Sequence, residues 1–346
     1  MELGYTIAFS NQFYRLDEIY RLGENVFDYW VYVLPMFLEE GEEPELTFAQ
    51  RDSALLKIWE FVDIMRELKK DKERKWIFKI QFHPKRIEGC EPKWWPGYLT
   101  SNKFAERYPN LISGLYRWVR DDIVRREAEF AIVGVEIAGL CKKINWLEVK
   151  KQFPIPIVYG SNFWQPLHWR YRGIIEKFRD WGWDEWLLGN FLSEFVYNIS
   201  PEKRRWFLDN IIYPSCQGDA FWSFFDYQGL SNYFYPTMTD EKAIEKKYKK
   251  YIVWLKLGWF KLALTYFSYP KVVRKWAGNR KLIVTESGVL YNAPIARNER
   301  LVKKWMVETL KQFNFAEKFT VWDEVEFPWI IEGVEEFRNK YLDEYV

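Results

Sequence analysis

Eight short runs rich in β-branched and aromatic residues recur along this chain, and stretches with helical spacing fall between them. The runs are Tyr5–Phe9, Asp28–Leu34, Trp76–Phe82, Ala131–Ile137, Ile155–Tyr159, Ala220–Phe225, Lys281–Thr285 and Phe319–Trp322. Runs of this length and composition, stopped by Pro35 or by His83-Pro84, read as strands. Phe48–Lys72 instead carries Leu55, Ile58, Trp59, Val62 and Leu68 at the i, i+3, i+4 spacing of a helix with one apolar face. The same reading gives helices over Tyr14–Leu22, Asn102–Glu129 with a break near Pro109, Ile144–Phe153, and Pro201–Ile212 with Ser200 as N-cap. Further helices are expected over Asp240–Phe267, Asn298–Gln312 and 332–345.

Several strand runs are apolar at consecutive positions rather than alternate ones. A strand tolerates that only when both faces are covered, as in a parallel sheet flanked by helices. Eight βα units in 346 residues predict an α/β fold, a (β/α)8 TIM barrel with insertions in the βα loops. One domain is expected to span 1–346 and to close with the helix at 332–345. An open doubly wound sheet is the competing topology, but no G-x-G-x-x-G turn follows the first strand.

Composition removes several functional classes. Basic and acidic residues nearly cancel, 51 against 49, so net charge gives no footing for a nucleic-acid partner, and none is expected. Cys90, Cys141 and Cys216 are widely spaced and form neither a CxxC knuckle nor an even-numbered disulfide framework. Only two histidines occur, His83 and His168, without HxH or HExxH spacing, so no catalytic metal is expected. A G-x-S-x-G elbow and a G-x-x-x-x-G-K loop are missing too, and no cofactor is expected. Met1–Ser10 lacks the basic start and long apolar core of a signal peptide. Lys256 and Lys261 interrupt the apolar stretch Tyr251–Pro270, which reads as a helix packed on one side and not as a transmembrane segment. A cytoplasmic location is the resulting expectation. Abundant Lys, Glu and Ile with few Gln and His is a composition of the thermophilic kind.

Aromatic residues make up 20% of the chain, with 20 Trp among them. Many sit in polar company, as in Trp94-Trp95-Pro96, Asn162-Phe163-Trp164-Gln165 and Trp181-Gly182-Trp183-Asp184. Such rings suit flat, half-apolar ligands such as sugars, and core packing is their other use.

A barrel places its chemistry at the C-terminal ends of its strands. Those ends read Ser10-Asn11, Leu34-Pro35, His83-Pro84, Glu136, Gly160-Ser161-Asn162, Asp226-Tyr227, Glu286-Ser287-Gly288 and Trp322-Asp323-Glu324. Two carboxylates stand out. Glu136 is the one charged residue in the ten from Ala131 to Leu140, and Glu286 ends the apolar run Leu282-Ile283-Val284-Thr285 just before Gly288. Each is either buried in an ion pair or aimed into a cavity. Burial of Glu136 among apolar groups raises a carboxyl pKa toward that of a general acid at neutral pH. Two carboxyl groups facing one pocket can divide the cleavage of a glycosidic bond, one giving a proton and the other attacking the anomeric carbon or activating water.

The segment Leu282-Ile283-Val284-Thr285-Glu286-Ser287-Gly288 resembles the strand-seven nucleophile motif of the clan A retaining glycoside hydrolases, an apolar run, Thr-Glu, a small residue and Gly. The resemblance implies a (β/α)8 barrel with Glu286 as nucleophile and, by strand position, Glu136 as acid/base. It implies a sugar-floor role for Trp322, an active-site role for His83, and a nucleophile-orienting role for Tyr227, beside Asp226. Where the family has Asn before the strand-four Glu, this chain has Val135, and Asn162 is the candidate to hold the sugar 2-hydroxyl instead. Trp222, Trp164 and Trp169 fall in or near expected strand-end loops and are candidate sugar contacts. The expected partner is a carbohydrate, as oligo- or polysaccharide or glycoconjugate. The alternative from another class is a glycan-binding or structural protein on the same scaffold, without turnover.

Overall fold

The computed structural model describes residues 1–7, 26–38, 75–84, 102–118, 128–187, 201–214, 218–233, 240–257, 260–289, 295–322 and 328–341. Ten strands lie within them: β1 (Glu2–Ile7), β2 (Tyr29–Leu38), β3 (Lys75–Pro84), β4 (Ala128–Val135), β5 (Ile157–Ser161), β6 (Tyr227–Asn232), β7 (Tyr251–Leu257), β8 (Phe260–Phe267), β9 (Leu282–Ser287) and β10 (Lys318–Trp322). All but β7 and β8 close into a barrel in the order β1-β10-β9-β6-β5-β4-β3-β2. Every pairing in it is parallel, and closure runs through β1 and β10 from Glu2↔Lys318 to Thr6↔Trp322.

Helices follow the later strands: α1 (Asn102–Trp118), α2 (Trp146–Gln152), α3 (Gln165–Asp180), α4 (Pro201–Phe207), α5 (Asp219–Trp222), α6 (Glu241–Lys249), α7 (Tyr269–Ala277), α8 (Glu299–Gln312) and α9 (Pro328–Tyr341). Asn298 caps α8 by accepting from the Leu301 N–H, and Asp240 caps α6 through the Ala243 N–H. The helices expected over Tyr14–Leu22 and Phe48–Lys72 lie outside the described residues, as does the Ser200 cap. The expected break at Pro109 does not occur, for α1 runs through it. No helix among the described residues is long and apolar enough to cross a membrane.

Alternation along the strands separates two cores. Tyr29, Val31, Ile77, Phe130, Ile132, Val135, Val158 and Ile283 form a cluster of their own inside the barrel. The neighbouring positions, among them Trp30, Ala131, Val133, Tyr159, Val284 and Phe319, join the larger core between strands and helices. This is why the strand runs are apolar throughout. Gly4 is needed for the interior packing, because a Cβ there would lie 2.1 Å from the Tyr29 ring. The ring instead passes across the interior, and its hydroxyl meets Thr320 Oγ1 at 2.8 Å.

Two expected elements are different in kind. Ala220–Phe225, read as the sixth strand, is the short helix α5 and the turn after it, and the sixth strand is Tyr227–Asn232. Asp240–Phe267, read as one helix, is α6 followed by the antiparallel hairpin β7–β8, paired from Tyr251↔Phe267 to Leu257↔Phe260.

Candidate active site

The upper end of the barrel gathers a lysine, two carboxylates, a tyrosine and a tryptophan. Lys79 alternates with Ile77 on β3 and so points inward; it is fully buried. Its Nζ lies 2.7 Å from Glu286 Oε1 on β9, four strands away around the ring in either direction, so the pair bridges the barrel. The contact is a buried ion pair. The other oxygen of Glu286 accepts the Tyr233 hydroxyl at 2.7 Å, from the residue just after β6. Glu286 itself is 2% exposed. Trp322, ending β10, places its ring centroid 4.9 Å from Lys79 Nζ, within cation–π range.

The charge of Glu136, the residue just after β4, also acts on this ammonium. Burial pushes the Lys79 ammonium below its ordinary pKa, and the charges of Glu286 and then Glu136 pull it back up. Glu136 is half-buried, and its backbone sits at φ 56°, a left-handed conformation that costs a non-glycine residue about 1–3 kcal/mol. Its N–H is held by the Gly160 carbonyl at 2.9 Å.

A bulge aims Glu286. On β9 the pairing passes from Leu230↔Val284 to Ser231↔Glu286, so Thr285 is an extra residue. Ile283 faces the interior, and plain alternation would send Thr285 inward and Glu286 outward. The extra residue resets the alternation and turns Glu286 in. A second bulge, on β4, passes from Ile132↔Val158 to Gly134↔Tyr159 and turns Val135 into the interior, and Glu136 follows it in its left-handed conformation. Gly288 lets the following loop approach β10, since a Cβ there would lie 2.2 Å from the Trp322 carbonyl oxygen. Asn232 Nδ2 donates to Ser287 Oγ at 3.1 Å and ties the ends of β6 and β9 together. Thr6, Ser231 and Thr285 bring buried hydroxyls without a protein partner to this end of the barrel.

The structure places Glu286, Glu136 and Trp322 at the same end of the barrel. It places Tyr227, Asp226 and Trp222 elsewhere. Tyr227 opens β6 and packs against Phe130 at the start of β4, so it lies at the opposite end of the barrel from Glu286. Asp226 is there too, accepting the Ile157 N–H at 2.9 Å and facing Lys150 at 3.4 Å. Trp222, on α5, packs among Tyr159, Phe221, Phe225 and Trp276 in the outer core. All three were misplaced by starting the sixth strand seven residues early, at Ala220 instead of Tyr227. The tyrosine whose hydroxyl meets Glu286 is not Tyr227 but Tyr233, the first residue beyond the true strand. Asn162 follows β5, but its Oδ1 accepts the Trp164 N–H at 3.3 Å in the turn that opens α3. Trp164 is buried beside Phe207 and His168, and Trp169 is exposed on α3. His83 lies near the end of β3, in register with Phe37. Of the aromatic clusters, Trp181 and Trp183 are exposed, and Trp94-Trp95-Pro96 lies outside the described residues.

Lys79 was legible only in part. In Trp76-Ile77-Phe78-Lys79-Ile80-Gln81-Phe82 it reads as the polar face of a strand, and in a closed barrel the other face is the interior.

No family model matches the chain, and no curated protein matches it in sequence. Solved structures do. The exo-β-1,4-mannosidase Op5Man5 from Opitutaceae bacterium strain TAV5 matches over 98% of this chain and 59% of its own, with a TM-score of 0.51 and 11% identity. PbGH5A, a glycoside hydrolase family 5 enzyme from Prevotella bryantii B14, matches over 96% and 95% respectively, at 0.47 and 8%. A GH30 endoxylanase from Clostridium papyrosolvens C71 matches over 96% and 68%, at 0.42 and 10%. The chain shares the fold of the mannosidase. At such identities the likeness is one of fold, and the chain spans about three-fifths of the mannosidase.

Proposed function

We propose that this chain is a retaining β-glycoside hydrolase on a single (β/α)8 barrel domain, with the β7–β8 hairpin as an insertion after the sixth barrel strand. One observation carries the reading: Glu286 at the end of the seventh barrel strand and Glu136 just beyond the fourth stand at the same, carboxyl end of one closed barrel, 150 residues apart in sequence. In this reading Glu286 attacks the anomeric carbon while Glu136 gives its proton to the departing oxygen, so that an ester bond forms as the glycosidic bond breaks. Glu136, now ionised, takes a proton from water, and the hydroxide so formed attacks the anomeric carbon and releases Glu286. Trp322 offers an apolar face for the sugar ring, and His83 stands at the rim of the same end. The buried hydroxyls of Thr6, Ser231 and Thr285 suit a polar ligand more than an apolar one. The substrate class is a carbohydrate, and the steps use no cofactor.

The near-complete burial of Glu286 favours a second reading, a glycan-binding protein without turnover. Hydrolysis of a panel of aryl β-glycosides separates the two. The hydrolase reading expects release of a sugar with retained anomeric configuration by NMR. It expects a loss of about 10³-fold or more in kcat for Glu286→Gln, and a larger loss for poor than for good leaving groups in Glu136→Gln. Equal rates for the wild type and both variants would overturn it.

A further inference from the structure

The apolar stretch from Tyr251 to Phe267 takes no part in the barrel. It folds into β7 and β8, which pair only with each other, and among the described elements none but α6, running straight into β7, packs appreciably against them. A two-stranded sheet of this kind is marginal in water unless something covers an apolar face of it. Register defines the faces. The pairing passes from Val253↔Thr265 to Trp254↔Ala263, so Leu264 is an extra residue. Opposite residues share a face, which puts Val253, Leu255 and Leu257 together with Thr265, Leu262 and Phe260, nearly all apolar. The other face holds Trp254 and Ala263, then Lys256 directly opposite Lys261. Like charges so placed destabilise a hairpin, and an anionic partner relieves them.

The charge around the hairpin has one sign. From Asp240 to Lys275 the sequence has ten basic residues and three acidic ones, whereas the whole chain carries a net charge of only +2. Two of those acids are already engaged by α8, Glu241 by Arg300 and Glu245 by Lys304 at 2.8 Å. Lys246, Lys249 and Lys250 are exposed where α6 leads into β7, and Lys271 is exposed in the first turn of α7. The base of the hairpin is fixed at the carboxyl end of the barrel. Ser268 Oγ donates to the Tyr248 carbonyl at 3.0 Å, and the Tyr269 hydroxyl donates to the carbonyl of Phe163, two residues beyond β5, at 2.7 Å.

We propose that the β7–β8 hairpin docks this protein on an anionic lipid surface, its apolar face entering the headgroup layer and the lysines of the hairpin and of α6 meeting the lipid phosphates. A neutral polysaccharide leaves the charge unanswered, and an acidic one or a nucleic acid leaves the apolar face in water. A second copy of the chain covers that face but brings two lysine pairs and two basic segments together. A bilayer with anionic headgroups answers both features. An open hairpin cannot cross the hydrocarbon, where its free edges would lose their hydrogen bonds, so the contact is interfacial.

The test is co-sedimentation of the full chain with phosphatidylcholine vesicles, with and without about 30% phosphatidylglycerol. Binding is expected only with the anionic lipid, and it weakens steeply as salt rises. Lys256→Glu with Lys261→Glu weakens it by about 30-fold or more. Lys103→Glu with Lys340→Glu makes the same change of net charge on α1 and α9 and leaves it within about threefold. Leu257→Ser with Phe260→Ser weakens it as well, and the thermal midpoint of each variant checks that it is folded. No binding, equal affinity for the two kinds of vesicle, or unchanged binding by the hairpin lysine variant overturns the proposal. A dimer in sedimentation velocity that is lost in Leu257→Ser with Phe260→Ser assigns the apolar face to a second copy and overturns it too. None of these outcomes bears on the hydrolase reading, which rests on Glu286 and Glu136.

Discussion

At the scale of single residues, the account turns on how Glu286 is held. One oxygen is paired with a buried lysine and the other accepts a hydrogen bond from Tyr233, so the carboxylate has little freedom to rotate. Removing the tyrosine hydroxyl leaves a buried charged oxygen short of a donor, a loss of about 1.5–3 kcal/mol for a hydrogen bond to a charged group. Tyr233→Phe is therefore expected to lower kcat/KM by about 10- to 100-fold with the far-UV circular dichroism unchanged; unchanged kinetics would show that the bond does not position the nucleophile. Trp322→Ala should raise KM of a glycoside more than it lowers Tm, since the ring is only partly buried at the barrel mouth. Trp222→Ala should do the opposite, costing about 3–5 kcal/mol in urea unfolding while leaving KM of the folded protein in place. Glu286, Glu136 and Trp322, which share one end of the barrel, end strands whose apolar runs are unambiguous in the sequence. Tyr233 and Lys79 escaped because nothing local distinguishes a tyrosine beyond a weak strand, or a lysine on an alternating one, from surface residues.

At the scale of elements, composition was a good guide where strands are packed on both faces and a poor one where they are not made of bulky residues. The sixth strand, Tyr227-Gln228-Gly229-Leu230-Ser231-Asn232, has almost no β-forming signal, because Gly229 lies so close to β5 that a Cβ would meet the Tyr159 carbonyl at 2.5 Å. The aromatic run just before it, Phe221-Trp222-Ser223-Phe224-Phe225, looks far more like a strand but packs as a helical turn; short apolar runs do not reveal their period. The hairpin was misread for the converse reason, although Gly258 between two runs rich in Val, Tyr, Trp and Phe was a turn signal. The bulges in β4 and β9 leave no trace in composition at all, and the one in β9 decides which way Glu286 faces. Gly288 is the point where this geometry is most easily tested. Gly288→Ala forces a methyl against the Trp322 carbonyl and is expected to lower stability by about 1–3 kcal/mol and to disturb activity together with it. An alanine variant as stable and as active as the wild type would show that the loop approaches β10 less closely than described.

At the scale of the whole molecule, the alternation of strand and helix was legible and the closed parallel barrel follows from it. One titrating group in the helical layer gives the barrel a pH-dependence of its own. Burial, with Arg172 nearby, pushes the His168 imidazole from its ordinary 6.5 down to about 4. The folded state thus prefers the neutral ring, and between about pH 6.5 and 4 the unfolded chain binds a proton that the folded one refuses. The contribution is full above pH 6.5 and is lost as the pH falls through 4, up to about 3 kcal/mol. His168→Gln should flatten that part of the stability curve in urea melts from pH 7 to 4, and parallel curves for the two proteins would refute it. The central claim is the attack by Glu286 on a sugar. Its most direct test is incubation with activated 2-fluoro-glycosides followed by intact mass and peptide mapping. The account predicts an added mass of one fluorosugar, carried by the peptide containing Glu286 and missing in Glu286→Gln. An enzyme that turns over aryl glycosides yet never acquires that mass, or acquires it on another residue, would contradict it.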